Sequence, residues 1–200
     1  GTGHGAKQGA DPVMTMDIAD EALRLFSKLR ELSRDGEGVT RPSYSTEESA
    51  AMLLLANEAE YGSVLFADLD HAANHVVTLR GESKAPFVLC GSHMDTVPQG
   101  GNYDGAAGVV AGLLAMKNIA ARGVKPKRSI RLIMIRGEES AWFGKCYLGS
   151  LTLFGKLTHE DLMRVSKQDG RRLDEHMRDC LAYSVSTIAP QAQFLDPKDI

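Results

Sequence analysis

Three short segments of this 200-residue chain place ionisable side chains among small residues. They are GSHMDTVP at 91–98, GGNYDG at 100–105 and RGEES at 136–140. Imidazole nitrogens and carboxylate oxygens are usual protein ligands of zinc and similar divalent ions. A carboxylate beside such an ion can act as a general base toward water. From these residue types and their spacing, a hydrolytic metal site and three solvated loops both remain open.

The spacing within the segments suggests a role for each side chain. Residues two apart in extended backbone point the same way, so Asp95 can hold the ring of His93 while that ring binds a metal. Asp104 lies at the start of a predicted helix, where its carboxylate could bridge two cations. Glu138 and Glu139 are adjacent and their side chains diverge, so one could bind metal while Glu138 acts as a base toward water.

Strands and helices must position these segments, and the apolar pattern predicts both. Continuous or alternating apolar runs predict strands at 64–67, 75–79, 86–90 and 130–135, with the strand at 86–90 buried on both faces. Helical spacing predicts helices over 16–33, 45–61 and 105–122, and shorter helical pieces at 147–154, 158–166 and 172–181. Ser45 and Glu48 have the spacing of a capping box. The central alternation of strand, helix and strand is typical of an α/β layer fold, in which sites form beyond the carboxyl ends of strands.

Composition excludes several classes of function. Lys plus Arg number 23 and Asp plus Glu 26, so the net charge of −3 argues against a nucleic-acid partner and gives no reason to expect a membrane partner. The longest nearly apolar stretch, at 106–116, is far shorter than the roughly 20 residues of a membrane helix. Three cysteines without a CxxC pair favour a reducing compartment, and we therefore expect a cytoplasmic location.

The chain divides into a short polar start and one α/β unit. The glycine-rich composition of residues 1–15 predicts a flexible N-terminal extension or a vector-derived remnant. Residues 16–200 carry all the predicted elements. His71 and His75 flank a polar turn and are expected to be exposed.

In combination, the segments 91–98 and 100–105 and the glutamate pair at 138–139 resemble a known family. This is the amidase/hydantoinase/carbamoylase branch of the dimetal aminoacylase and carboxypeptidase superfamily of metallopeptidases. The branch includes N-carbamoyl-L-amino-acid amidohydrolase, allantoate amidohydrolase and β-ureidopropionase. Further similarity lies at 38–41, 143–144 and 148–150. The resemblance covers about residues 17–200.

The resemblance implies a fold and a set of roles. The fold would be α/β: a three-layer α/β/α metallohydrolase catalytic domain with a mixed sheet flanked by helices, of which this chain is the N-terminal half. His93 would bind the first metal, Asp104 would bridge both metals and Glu139 would bind the second. Glu138 would be the general base, and Asp95 would orient His93.

The resemblance also implies cofactors and partners. Two divalent ions, usually zinc and otherwise manganese, nickel or cobalt, would hold a water that attacks a carbamoyl or amide carbon. The substrate would be a small N-carbamoyl-amino-acid or ureido compound, and the intact enzyme would be a homodimer. Substrate-binding residues stay unassigned, because the chain departs from the family pattern at 140–142 and at Leu151, near the expected pocket.

Within 200 residues each metal would have only two protein ligands, whereas catalytic zinc usually has three and a water. We therefore expect the remaining ligands, the lid and dimerisation domain and the C-terminal part of the catalytic domain to lie outside this chain. Alone, it should bind metal weakly and hydrolyse little. A peptidase or aminoacylase of the same superfamily and a non-catalytic fragment that acts as a binding module are the alternatives.

Overall fold

The computed structural model describes residues 17–59 and 65–185. The helices in these ranges are α1 (Ile18–Ser33), α2 (Thr46–Ala59), α3 (Ala106–Ala121), α4 (Leu148–Leu153), α5 (His159–Leu162) and α6 (Leu173–Val185). The strands are β1 (Arg34–Asp35), β2 (Gly38–Val39), β3 (Leu65–Leu69), β4 (His75–Leu79), β5 (Ser83–His93) and β6 (Arg128–Ile135). In the described part of the chain, no helix is both long and apolar enough to cross a membrane.

Four strands form a mixed sheet in the order β3-β4-β6-β5. The pairs β3–β4 and β4–β6 are antiparallel, whereas β5 and β6 are parallel and are joined through α3. In the parallel pair, Val88 lies opposite Ile130 and His93 lies opposite Ile135. The carboxyl ends of β5 and β6 therefore meet at one edge of the sheet, where the polar segments emerge.

Helices cover both faces of this sheet. Leu25 and Leu29 of α1 pack with α2, α3 and one face of the sheet in the largest buried cluster. A smaller cluster on the other face joins Phe87 and Ile133 to Leu153 of α4. The mixed sheet between helices confirms the α/β class and the layer arrangement expected from the sequence.

The predicted elements are present with shifted ends, and two expectations are wrong. Strand β5 is longer than predicted, and it is not buried on both faces, because Val88 is 49% exposed while the adjacent Phe87 is buried. An apolar run shows that a strand contributes to a core but not on which of its sides. His75 is fully buried, because it belongs to the inner strand β4 rather than to the turn before it.

One unpredicted feature follows α1, and some predicted residues cannot be compared. The sequence did not predict β1 and β2, a short antiparallel pair whose Val39 also bridges to Gly100 and so ties this region to the 100–105 segment. Residues 1–16, 60–61 and 64, where an extension and element ends were predicted, lie outside the described residues.

Candidate metal centre

Three predicted ligands converge at the carboxyl edge of the sheet. His93 ends β5, Asp104 precedes α3 and Glu139 follows β6. The Nε2 atom of His93 lies 3.8 Å from Asp104 Oδ1 and 3.9 Å from Glu139 Oε1, and one ligand atom from each of the three lies within 4.8 Å of the others. We call these three residues the ligand trio.

The trio has the chemistry and spacing of a cation site. Distances of 3.8 and 3.9 Å exceed those of hydrogen bonds. Both are shorter than about 4.2 Å, twice the usual zinc–oxygen or zinc–nitrogen bond, so each pair can hold one ion between its atoms. One imidazole and two carboxylates fit zinc and other divalent ions. Among the described residues, no other group of at least three His, Cys, Asp or Glu side chains has such spacing.

Gly105 allows Asp104 to lie beside the imidazole ring. Its backbone has a φ of +63°, a conformation that side chains disfavour. A Cβ atom at this position would also lie 2.5 Å from the carbonyl oxygen of His93 and 2.6 Å from its ring. The start of α3 can therefore approach β5 this closely only with glycine at 105.

The fully buried carboxylate of Asp95 connects β5 with the residues that follow β6. It accepts hydrogen bonds from the hydroxyl of Ser43 at 2.6 Å and from the backbone N–H groups of Glu138 and Glu139, each at 3.0 Å. Its Oδ1 also lies 3.3 Å from Nδ1 of His93. One side chain thus fixes both the imidazole and the backbone of the two glutamates.

These contacts determine the protonation of His93. Its Nδ1 faces two acceptors, the carboxylate and the backbone oxygen of Asp95, so Nδ1 carries hydrogen. The other ring nitrogen, Nε2, faces Asp104 and Glu139. The hydrogen bond with Asp95 raises the pKa of His93 to about 9 although burial opposes the shift. Burial by itself would raise the pKa of Asp95, but hydrogen bonds from His93, Ser43 and two backbone amides lower it. A metal would therefore displace a proton from His93 at neutral pH.

Residues 136–139, here called the strand-exit segment, are held by buried side chains. Each of its four backbone N–H groups donates to a side-chain oxygen: Arg136 to Asn74, Gly137 to Glu48, and Glu138 and Glu139 to Asp95, at 2.9–3.1 Å. Irregular backbone at a buried position needs such partners, because unpaired amides are costly. The segment therefore has a defined path where it presents its two glutamates.

Glu48 and Arg136 form a fully buried ion pair behind this segment. Arg136 Nη1 lies 3.0 Å from Glu48 Oε2, which also accepts the N–H of Tyr44 at 2.7 Å. Burial raises the pKa of Glu48 to about 7 despite the nearby guanidinium. Because burying these two charges has a large desolvation cost, the ion pair adds little net stability and acts mainly to hold the strand-exit segment in position.

Glu138 lies outside the trio. Its Oε1 accepts the N–H of Ser150 at 2.9 Å, and its Oε2 accepts the hydroxyl of Ser150 at 2.8 Å. Burial raises the pKa of Glu138, and the bonds from Ser150 oppose the shift only in part. The two adjacent glutamates therefore point to different partners, Glu139 to His93 and Glu138 to α4.

Three comparisons with known proteins agree on one group of metal-dependent hydrolases. The pattern of Peptidase family M28 matches residues 74–167. N-carbamoyl-L-amino-acid amidohydrolase of Pseudomonas sp. (strain NS671) is 31% identical over 163 residues, which cover 80% of this chain and 39% of that protein. Ureidoglycolate hydrolase of Arabidopsis thaliana is 36% identical over 165 residues, 80% of this chain and 34% of that protein. A crystal structure of a hydantoinase/carbamoylase family amidase from Burkholderia ambifaria matches 92% of this chain and 44% of that chain, with a TM-score of 0.72 and 27% identity.

These matches support the amidase/hydantoinase/carbamoylase branch as the family of this chain. The match is partial in length, because the chain spans 39% of the Pseudomonas relative and 34% of the Arabidopsis relative. Membership in this branch of metallohydrolases implies dependence on divalent metal, in agreement with the donor set of the trio.

Other residues of this chain have structural roles that sequence reasoning did not assign. Ser43, Asn74, Glu48 and Ser150 each bind the candidate site or its backbone. Glu48 carried a local sequence signal, the capping-box spacing, but that signal indicates a different role. Ser150 lies in the 148–150 segment that resembles the family, but the resemblance assigned it no role. Of the capping box, the bond from the Glu48 N–H to Ser45 Oγ is present, but the Glu48 carboxylate binds Tyr44, Gly137 and Arg136 instead of closing the box.

Proposed function

We propose that this chain is the metal-holding part of an amidohydrolase that cleaves a linear carbon–nitrogen bond in an N-carbamoyl-amino-acid or ureido substrate. The observation that carries the proposal is the convergence of His93, Asp104 and Glu139, with Asp95 behind the imidazole. The relatives named as N-carbamoyl-L-amino-acid amidohydrolase and ureidoglycolate hydrolase support this substrate class.

The trio would hold two ions, His93 and Asp104 the first and Asp104 and Glu139 the second. Zinc is the ion that this donor set suits best, and manganese, nickel or cobalt are the alternatives. When bound, divalent ions of this kind polarise a carbonyl group and make water a better nucleophile at neutral pH. Asp95 would keep hydrogen on Nδ1 of His93, so that Nε2 faces the ion once the metal has displaced its proton.

Glu138 would act as the general base. Each of its carboxylate oxygens has one hydrogen bond from Ser150 and retains a lone pair that can take a proton. The attacking water would give its proton to Glu138, which would then pass it to the leaving nitrogen. A pKa raised by burial brings the group closer to working pH, which is where a base is most effective.

We infer that residues 16–200 form the N-terminal part of a catalytic domain and that other segments of the whole protein supply the remaining ligands and a lid. Two ligands per ion are fewer than catalytic zinc requires, which supports this division. A homodimeric assembly in the cytoplasm completes the proposal. The free thiols of Cys90, Cys146 and Cys180 agree with a reducing compartment.

A substrate panel on the full-length gene product tests the function. We expect hydrolysis of an N-carbamoyl amino acid, allantoate or ureidoglycolate, loss of activity with a chelator and recovery with zinc or manganese. Dipeptides and N-acyl amino acids belong in the panel, because the match to Peptidase family M28 favours a peptidase as the second candidate. Turnover of dipeptides without turnover of carbamoyl or ureido compounds would replace the first candidate with the second.

A further inference from the structure

Helix α4 lies directly against the strand-exit segment. The N–H groups of Tyr147, Leu148 and Gly149 donate in turn to the carbonyl oxygens of Glu138, Gly137 and Arg136, at 2.9–3.1 Å. A Cβ atom on Gly149 would lie 2.1 Å from the carbonyl oxygen of Arg136, so only glycine permits this approach. The contact fixes the position of the next residue, Ser150, relative to Glu138.

Ser150 then binds Glu138 at both oxygens. The N–H and the hydroxyl of this one residue reach Oε1 and Oε2, so they define the plane of the carboxylate as well as its direction. Hydrogen bonds to an ionised group are the stronger kind and restrict geometry accordingly. Both oxygens of the half-buried Glu138 carboxylate are thereby held beside α4, and Glu138 is not a member of the trio.

The bonds from Ser150 matter because two adjacent glutamates could both bind the same metal. Glu138 and Glu139 have identical side chains, and both follow β6 beside a site that attracts carboxylates. A glutamate that is free to rotate about its side-chain bonds can reach a nearby cation and become a further ligand. A ligand in that position is no longer available as a base.

We propose that Ser150 is a positioning residue that keeps Glu138 out of the ligand set and holds it in the orientation of a base. The inference rests on the proposed function for the role of Glu138. The contact between Ser150 and Glu138 is independent of that function and can be tested separately.

The substitution Ser150→Ala removes the hydroxyl and retains the backbone N–H. Thr152→Val is the matched control, because Thr152 lies in the same helix and its hydroxyl binds Leu148 O within that helix at 2.8 Å. Ser150→Thr restores a hydroxyl. If the alanine variant does not fold, Ser150→Cys keeps the volume and weakens the donor.

The first readout is crystallographic and does not depend on activity. In crystals grown with zinc, we expect Glu138 of Ser150→Ala to leave its observed orientation, whereas Glu138 of the wild type, Thr152→Val and Ser150→Thr stays in place. The second readout is the kinetics of the full-length protein. For Ser150→Ala we expect kcat to fall by about tenfold, the scale of one lost hydrogen bond to a charged group, with KM and bound zinc unchanged.

An unchanged Glu138 conformer in Ser150→Ala would overturn the proposal, as would an equal fall in kcat for Thr152→Val. A wild-type protein that hydrolyses none of the carbamoyl or ureido substrates would instead refute the proposed function. In that case the conformer of Glu138 still decides whether Ser150 positions it.

Discussion

Glu48 of α2 and Arg136, the first residue after β6, form an ion pair, and neither side chain is exposed to solvent. The other oxygen of Glu48 accepts the N–H of Gly137 at 3.1 Å. A helix residue distant in sequence therefore holds the backbone that carries Glu138 and Glu139. Changes at Glu48 should affect both stability and the site.

Replacing Glu48 tests this relationship. We expect Glu48→Gln to lower the free energy of unfolding by about 3–5 kcal/mol, because Arg136 loses its counter-charge and a side-chain amide must face N–H donors. Urea unfolding followed by circular dichroism measures the change. The neighbouring Glu47, which is only half-buried and lies in the same helix, provides the control, and Glu47→Gln should change stability by less than about 0.5 kcal/mol. Equal effects of the two variants would contradict the positioning role of Glu48.

Asp95→Asn tests the connection between His93 and the strand-exit segment. An asparagine has only one acceptor oxygen, so it cannot serve Ser43, His93 and both backbone amides together. We expect zinc affinity, measured by calorimetric titration, to fall by about 10–100-fold, the usual effect of losing the carboxylate behind a metal-bound histidine. Asp68→Asn on β3, away from the site, should leave zinc affinity unchanged. Wild-type affinity in Asp95→Asn would show that the imidazole needs no such support.

The two adjacent glutamates should respond differently to the same substitution. Glu138→Gln in the full-length protein should keep its metal and lose rate by a factor of about 10²–10⁴, the scale of general acid–base catalysis. Glu139→Gln should lower bound metal, measured by elemental analysis. Equal metal loss in both variants would mean that the roles have been divided wrongly.

Stability should fall in acid through a network on the helical face. Hydrogen bonds from Arg24 lower the pKa of both Glu21 and Glu58 from 4.5 to about 2. The folded state thus keeps these carboxylates ionised at pH values where the unfolded chain takes up protons. Their contribution to stability is fully present above about pH 4.5 and is lost as the pH falls toward 2.

Unfolding by urea at pH 7, 4.5 and 3 measures this loss. We expect Glu58→Gln to show a shallower decline between pH 4.5 and 3 than the wild type. Glu37→Gln, at an exposed position outside the network, should follow the wild-type profile. A Glu58→Gln profile parallel to that of the wild type would exclude the network as the source of acid sensitivity.

The ligand trio is the part of the site that sequence could predict, because its residues lie at the ends of elements with clear patterns. His93 and Glu139 follow apolar strand runs, and Asp104 precedes a helix pattern, so sheet geometry places all three near one edge. The choice of these three as ligands came from the family resemblance. The periodicity of apolar residues likewise predicted the central helices and strands.

The residues behind the trio could not be predicted in this way. Ser43 reaches Asp95 across 52 positions and Asn74 reaches Arg136 across 62, and no local pattern encodes such contacts. Glu48 has a local pattern, but its carboxylate faces stronger donors in the folded chain. The exposure of Val88 on β5 depends on which elements pack over that face of the strand, which residue periodicity does not specify.

Asp95 holds the strand-exit segment through backbone N–H groups, not through the side chains of Glu138 and Glu139. Any amino acid other than proline offers the same N–H at these positions. The backbone at 138 and 139 is therefore held by Asp95 whichever side chains these two positions carry. A mutational library at 138 and 139 should return many folded proteins with altered metal preference or chemistry, whereas a library at 95 should return few.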